Sequence, residues 1–481
     1  MDPSAPHKLD PHVRKIATVI VLGAIMSILD TTIINVALND LANDFDAPLS
    51  TIQWISTGYM LAVAAALPVT GWASRRFGSK RLYIVAVVLF TLGSALCALA
   101  WSANSLILFR VLQGLGGGMI MPVGQMILVR AAGPKSMPRV MAAIGVPMLV
   151  APVLGPTIGG LLLEHAGWQW IFLINLPVGI IALITARRLL PSTDDEEPAG
   201  RLDFAGLALA SAGFVGITYG LAQTGSASSL LAASVVVPIA AGLVLVAAFV
   251  VRALRISYPL LNVRLFRSGS FSAAAVAVFF LGAALFGAMI LMPLYFQVAR
   301  GESAAMAGLL LAPQGIGAAV GMRLSARTTE RVGAGRTTLL GVAVIIVGTI
   351  PLLSLADDTS YGVTSAALIL RGIGMGLSLM PAMTSAYSRL SIEQVSHATP
   401  QLLVLQRVGG SMGTALLSVI LQDHLTSAGR SPAGMAHAFA LTNWWVIAIT
   451  VAAVVPVIVL ALTERATEPG AGRAPMAIGA A

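Results

Sequence analysis

Fourteen apolar windows of membrane-spanning length follow one another along this chain, and that repetition leaves few folds open. A helix rises about 1.5 Å per residue, so about 20 apolar residues cross a hydrocarbon core of ~30 Å. Such windows fall at 16–38, 52–72, 82–101, 105–129, 138–163, 168–188, 203–223, 229–251, 271–298, 304–326, 338–356, 361–385, 399–421 and 438–463. Only 10% of residues are charged, against roughly 25% in soluble domains, so the chain lacks the material for a water-facing surface. Lipid cannot hydrogen-bond a backbone, which restricts spanning structures to helices and closed barrels, and windows this long are helical. The expected fold class is an all-α polytopic membrane protein. No secretory signal peptide is evident, because the first run continues into polar, acidic residues without a small-residue cleavage site. Cys97, the only cysteine, excludes an intramolecular disulfide and reads as a small apolar filler.

An even number of spans puts both termini on one side, and basic residues choose the side. With the N-terminus in the cytoplasm, 24 of the 29 Lys and Arg fall in cytoplasmic segments. Arg300 and Arg430 lie outside, and Arg110, Arg371 and Arg407 fall within spans, residues at the cytoplasmic ends of spans being counted with their loops. Both termini are therefore expected to be cytoplasmic, with the acidic loop at 39–50 outside. The same asymmetry assigns the net charge of +9 to the cytoplasmic face and the anionic lipid headgroups, so no nucleic-acid partner is needed. Arg outnumbering Lys, with abundant Ala and Gly, fits a GC-rich bacterial genome and hence a bacterial cell (inner) membrane.

Of 20 acidic residues, only Asp30 lies deep within a span. An ionised carboxylate there costs at least a few kcal/mol, which makes it a candidate for function. Ser27 and Thr31 are possible local partners. Arg110 is a partner by depth: Asp30 lies about 12 Å below the outer end of the first span and Arg110 about 7 Å below the start of the fourth. Asn35 and Gln113 complete the candidate proton-coupling and substrate set. The spans hold no His cluster and no metal-ligand spacing, and no ATP-binding motif is present. "GLGGGM" (114–119) sits inside an apolar span with no strand before it, so it reads as close helix packing.

Two pairs of motifs repeat at nearly one offset. "RRFGSKR" (75–81) follows the second span and "ERVGAGR" (330–336) the tenth. "FRVLQGLGGGMIMP" (109–122) lies in the fourth span and "LRGIGMGLSLMP" (370–381) in the twelfth. The offset is eight spans, which two six-span halves with a two-span insertion produce. The expected organisation is a six-helix half at 1–188 and an insertion at 189–270. The insertion comprises the acidic linker "STDDEEPAGRLD" (192–203), two helices and a cytoplasmic loop. A second six-helix half at 271–463 and a cytoplasmic tail at 464–481 follow.

These stretches resemble one family, the major facilitator superfamily, and within it the fourteen-span drug:proton antiporters of EmrB/QacA type. "LDTTIINVAL" (29–38) is similar to the first-span signature, and "GWASRRFGSKR" (71–81) to the loop after the second span. "FRVLQGLGGG" (109–118) resembles the fourth-span motif around Arg. "APVLGPTIGG" (151–160) resembles the fifth-span antiporter motif. "WQWIFLINLPVG" (168–179) and "RVGGSMGTAL" (407–416) resemble patterns of the sixth and thirteenth spans. The chain departs from the pattern at Arg75, where an acid is usual, at Gln169, where Arg is frequent, and at Asn39, where Pro is frequent.

The resemblance implies an MFS fold arranged 6+2+6 and a proton-coupled exporter of small hydrophobic or amphiphilic compounds, either broad or dedicated to one metabolite or antibiotic. It implies neither an enzyme nor a cofactor. The partners expected are those substrates, protons and membrane lipids, with an accessory export protein left open. It assigns antiporter-motif roles to Gly155, Pro156, Gly159 and Gly160, on a helix that shapes the interface between the halves. It places a cytoplasmic gating loop at Gly71, Arg75, Arg76, Gly78, Lys80 and Arg81, repeated as Glu330, Arg331 and Gly333. Arg371 and Arg407 are the intramembrane cations of the second half. A single deep acid favours monocationic, neutral or weakly acidic substrates over dications.

Overall fold

A computed structural model of the chain describes residues 10–191, 200–225, 231–388, 390–429 and 431–465. Within helices, side chains at 35, 39, 49–50, 133–138, 141–144, 146–154, 156–157, 225, 304–305, 392–393 and 465 lie outside the described set. The expected roles of Asn35 and Pro156 and the departure at Asn39 therefore fall outside the described side chains. Arg430, most of the acidic linker and the tail from 466 onward lie outside the described residues.

Thirteen helical segments among the described residues are long and apolar enough to cross a membrane. The first four spans are Pro11–Ile33, Thr51–Phe77, Ser79–Ala98 and Ala103–Ala132, and the sixth is Gln169–Leu189. The inserted pair is Phe204–Ala222 and Ala233–Arg255. The ninth to fourteenth are Gly269–Ala299, Met306–Val332, Ala334–Ser354, Tyr361–Tyr387, Gln394–Ala428 and Pro432–Glu464. The fifth span is helical as well, but it belongs to one continuous run, Ala103–Ala166. That run doubles back. Gly124 lies against Ile20, whereas Gly155 and Gly159 return to Thr32 and Ile33 of the same first span. A straight helix would separate Gly124 from Gly159 by about 50 Å, far more than the ~20 Å between Ile20 and Ile33.

The two six-helix halves use the same packing scheme. In the first half, the fourth span packs against the first, second and third, and in the second half the twelfth packs against the ninth, tenth and eleventh. The eight-span offset read from the motifs is thus an offset in structure. The repeated loop shows the same point at one residue. Gly78 follows helix Thr70–Phe77 at φ 88°, ψ 136°, and Gly333 follows Ala304–Val332 at φ 89°, ψ 160°. This backbone region is essentially closed to side chains with a Cβ, which explains a glycine at both copies.

The halves meet along two seams. One joins the second span to the thirteenth, and the other joins the long fourth–fifth run to the tenth. Apolar packing is uneven along them. One core cluster is shared by both halves and gathers at the end carrying the Arg-rich loops, called here the basic end: Ile16 and Ile20, Met126, Met322, Met380 and Leu402 belong to it. At the opposite end each half has its own core, around Ile33, Ile55, Leu106 and Phe172 in the first half and around Leu291, Phe296, Leu368 and Phe439 in the second. The molecule is closed at the basic end and its halves are separate at the other.

The inserted helices form a hairpin on the side of the bundle. The seventh span packs against the eighth, the second and the thirteenth. Tyr219 stacks on Trp54 with ring centroids 5.7 Å apart, and Ser211 donates to the Ala65 carbonyl at 2.9 Å. Arg252 closes the base of the hairpin on Asp203 at 2.8 Å. The eighth span is mostly exposed, as expected for a lipid-facing helix.

Candidate functional site

The first, third, fourth and sixth spans converge on the Asp30 carboxylate. Arg110 Nη1 lies 2.5 Å from Oδ2, and both side chains are 0% exposed. Gln113, one helical turn after Arg110, bridges the pair: its Oε1 accepts from Arg110 Nη1 at 2.7 Å and its Nε2 donates to Asp30 Oδ1 at 2.8 Å. Asn175 Nδ2 donates to Asp30 Oδ1 at 3.1 Å and to Ser94 Oγ at 3.0 Å. Ser94 in turn donates to the Phe172 carbonyl at 2.9 Å. The local partners considered from sequence are engaged elsewhere: Thr31 bonds the Ile28 carbonyl, and Ser27 lies 3.4 Å from the Tyr59 hydroxyl.

Arg110 also holds the second span. Its Nε donates to the Ile55 carbonyl at 3.3 Å, and its guanidinium lies 4.1 Å from the centroid of the Tyr59 ring. Such a stacked cation is stabilised by the negative face of the ring, more so away from water. Gly114 and Gly118 let the fourth span approach that helix, since a Cβ at either would meet the carbonyl of Tyr59 or Val63 within 3 Å. Cys97 packs in the apolar core of this half, as a small buried filler, with its Sγ 3.6 Å from Gln113 Oε1 at the edge of the network.

A buried ion pair is weak evidence for stability, because desolvating two ions offsets most of their attraction. Three side-chain donors on one carboxylate, in a bundle that apolar residues could fill, point to use rather than to strength. Asn175, Ser94 and Tyr59 were not among the residues selected from sequence. The available signal was an amide or hydroxyl inside an apolar run, as in "FLINLPVG" (172–179).

The second half lacks this arrangement. Arg371, the repeat of Arg110, is 1% exposed. Its Nε, Nη1 and Nη2 have no hydrogen-bond partner among the described residues. Leu281, Ala284 and Leu285 line the small cavity beside it, where the first half has its acid. Arg407, in the thirteenth span, is exposed.

The loop residues divide by role. Arg75 Nη1 donates to Ser396 Oγ at 3.0 Å, and a Cβ at Gly71 would meet the Ser396 carbonyl at 2.5 Å. Both contacts lie on the second–thirteenth seam. On the other seam Glu330 pairs with Arg139 through both oxygens, at 2.6 Å from Nε and 2.8 Å from Nη2. Arg75 and Glu330 are repeat positions, as are, within two residues, Ser396 and Arg139. Arg75 thus bonds a serine across its seam, where its repeat Glu330 bonds Arg139 across the other. Lys80 donates to the Leu190 carbonyl at 2.7 Å, whereas Arg76, Arg81 and Arg331 are exposed at the basic end.

Two of the antiporter-motif glycines face the first span. A Cβ on Gly155 would collide with the Thr32 side chain, and one on Gly159 would meet Ile33 Cγ2 at 3.1 Å. Both therefore pack inside the first half, one turn from Asp30. The close contact with the other half belongs to Gly145, whose Cβ would strike Met322 and Met380. Around Gly160 there is open space.

The model of the Major Facilitator Superfamily matches residues 20–414. The chain belongs to this superfamily. It is 39% identical over 421 residues to the multidrug resistance protein B homolog of Mycobacterium tuberculosis, covering 87% of this chain and 78% of that protein. It is 32% identical to the methylenomycin A resistance protein of Bacillus subtilis, covering 87% and 89%. The solved structure of the human organic anion transporter MFSD10 superposes with a TM-score of 0.65 over 94% of this chain and 100% of that one, at 15% identity. That likeness speaks for the fold alone. A transporter of this superfamily, with its many apolar helices, is a multi-pass membrane protein and not an enzyme.

Proposed function

We propose that this protein exports small hydrophobic or amphiphilic compounds across the bacterial inner membrane in exchange for protons, with both termini in the cytoplasm. The observation that carries the reading is the one deep acid of the bundle, held by Arg110, Gln113 and Asn175. The names of its relatives, which include drug-resistance proteins, support export as the direction.

The geometry suggests how a proton acts. A proton on Asp30 removes the charge that holds Arg110. Arg110 also grips the second span through the Ile55 carbonyl and the Tyr59 ring. The second span ends in Arg75, on the seam with Ser396. Loading the carboxylate therefore loosens a contact that reaches the closed end, and unloading restores it. Competition between substrate and proton for the carboxylate itself, the simplest antiport scheme, does not fit this conformation, because Asp30 has no exposed side-chain surface. We place the substrate beside the network, in the cleft between the halves, and make the coupling indirect.

The test is pH-gradient-driven efflux from liposomes containing purified protein. Asp30→Asn cannot titrate and is expected to insert normally yet lose uphill export. Wild-type efflux with undiminished proton counterflow from Asp30→Asn would remove Asp30 from the coupling path.

A further inference from the structure

The cleft has an unbalanced charge. In the first half the acid and the base cancel each other within one sealed network. In the second half no acid lies deep in a span, yet Arg371 is buried without a partner among the described residues and Arg407 is exposed.

The exposure of Arg407 is to the interior. It sits about 20 Å from the basic end of its helix, near mid-membrane depth. A guanidinium turned to lipid at that depth would be costly. Its helix instead meets the second span of the other half along one seam and, through Gly409, Gly410 and Gly413, packs on the ninth span of its own half, so protein flanks it on two sides. Along the same helical face, one turn apart, follow Ser411, Thr414 and Ser418, each partly exposed. A spacing of three or four residues lines one face of a helix, so the thirteenth span presents a polar stripe headed by a cation. The halves are separate on that side of the shared core.

We infer that Arg407 is the charged contact of the substrate cleft and that the cleft takes organic anions: compounds with an apolar ring system and one sulfonate, carboxylate or similar group. This assignment rests on the exporter reading and narrows its substrate class. The chemistry follows from the fork geometry of guanidinium, which matches a planar or tetrahedral anion with two parallel hydrogen bonds. The three hydroxyls can bind the remaining anion oxygens or a polar ring substituent. A cationic substrate would meet uncompensated like charge in the same place.

Two probes decide it. Naphthalenesulfonate and naphthylmethyl-trimethylammonium share one ring system and carry permanent opposite charges, so neither crosses lipid unaided. In liposomes with an imposed pH gradient, the wild type is expected to move the sulfonate and discriminate against the ammonium. Arg407→Gln should raise the KM for the sulfonate about 10-fold or more, the usual scale for losing a charge-assisted contact. Arg407→Lys should recover part of that loss. An unchanged thermal midpoint of the detergent-solubilised variants verifies their folding. Preference for the ammonium, or an unchanged sulfonate KM in Arg407→Gln, overturns the anion assignment and leaves the exporter reading intact. No gradient-driven movement of either probe overturns the exporter reading and this assignment with it.

Discussion

Asp30 and Arg110 hold opposite charges where neither is tolerated alone, and that interdependence can be measured. Removing one partner of a buried pair leaves an uncompensated charge, at a cost of about 3–5 kcal/mol. Asp30→Asn keeps the bonds from Gln113 and Asn175, so its loss should fall near the lower end, about 3 kcal/mol. Adding Arg110→Gln removes the stranded charge and should return much of the stability without returning transport. Unfolding midpoints of the single and double variants, set beside their flux, test this coupling. Arg371 predicts the opposite sign. It is already a buried cation without a protein partner among the described residues. Arg371→Met should therefore raise stability by about 1–4 kcal/mol, and a lowered midpoint would contradict this. The Asp30–Arg110 pairing was legible in the sequence because helix depth is read by counting residues. Asn175 and Ser94 were not, because joining a network also depends on how each helix is rotated about its axis, which one apolar run does not record.

Glycines of one motif have unequal roles on the fifth span. Gly155 touches Thr32 and Gly159 touches Ile33, while no atom of another element lies within 4 Å of where a Gly160 Cβ would be. Gly155→Leu should therefore abolish exchange by pushing this helix off the first span, one turn from Asp30. Gly160→Ala should leave exchange unchanged. Equal flux from both variants, at equal amounts in the membrane, would refute the packing account. Span positions and the repeat were readable from periodicity and composition, since a bilayer imposes length on every helix. The partner of the glycine stripe was not: a small-residue face declares that something approaches closely, without saying what. The first span occupies the face of Gly155 and Gly159, and Gly145, earlier on the same helical run, meets Met322 and Met380 of the other half.

At the scale of the whole molecule, the charge asymmetry of the loops predicts which end faces the cytoplasm. In a Cys97→Ser background, a cysteine at Asn43 should react with an impermeant reagent in intact cells, because Asn43 is exposed on the acidic side. Labelling only after permeabilisation would invert the topology. The 6+2+6 order was legible because motif spacing counts spans, but the position of the inserted hairpin was not, since connectivity alone leaves open the flank on which two extra helices dock. They dock along the second–thirteenth seam, with Tyr219 stacked on Trp54. Hydrophobic molecules dissolve in lipid before they meet any pump, and they arrive by diffusing in the plane of the bilayer. The hairpin covers one of the two seams between the halves, so among the described residues only the fifth–tenth seam meets lipid without an added helix pair. Duplication made the two halves alike; the hairpin makes their two flanks unlike in what faces the lipid.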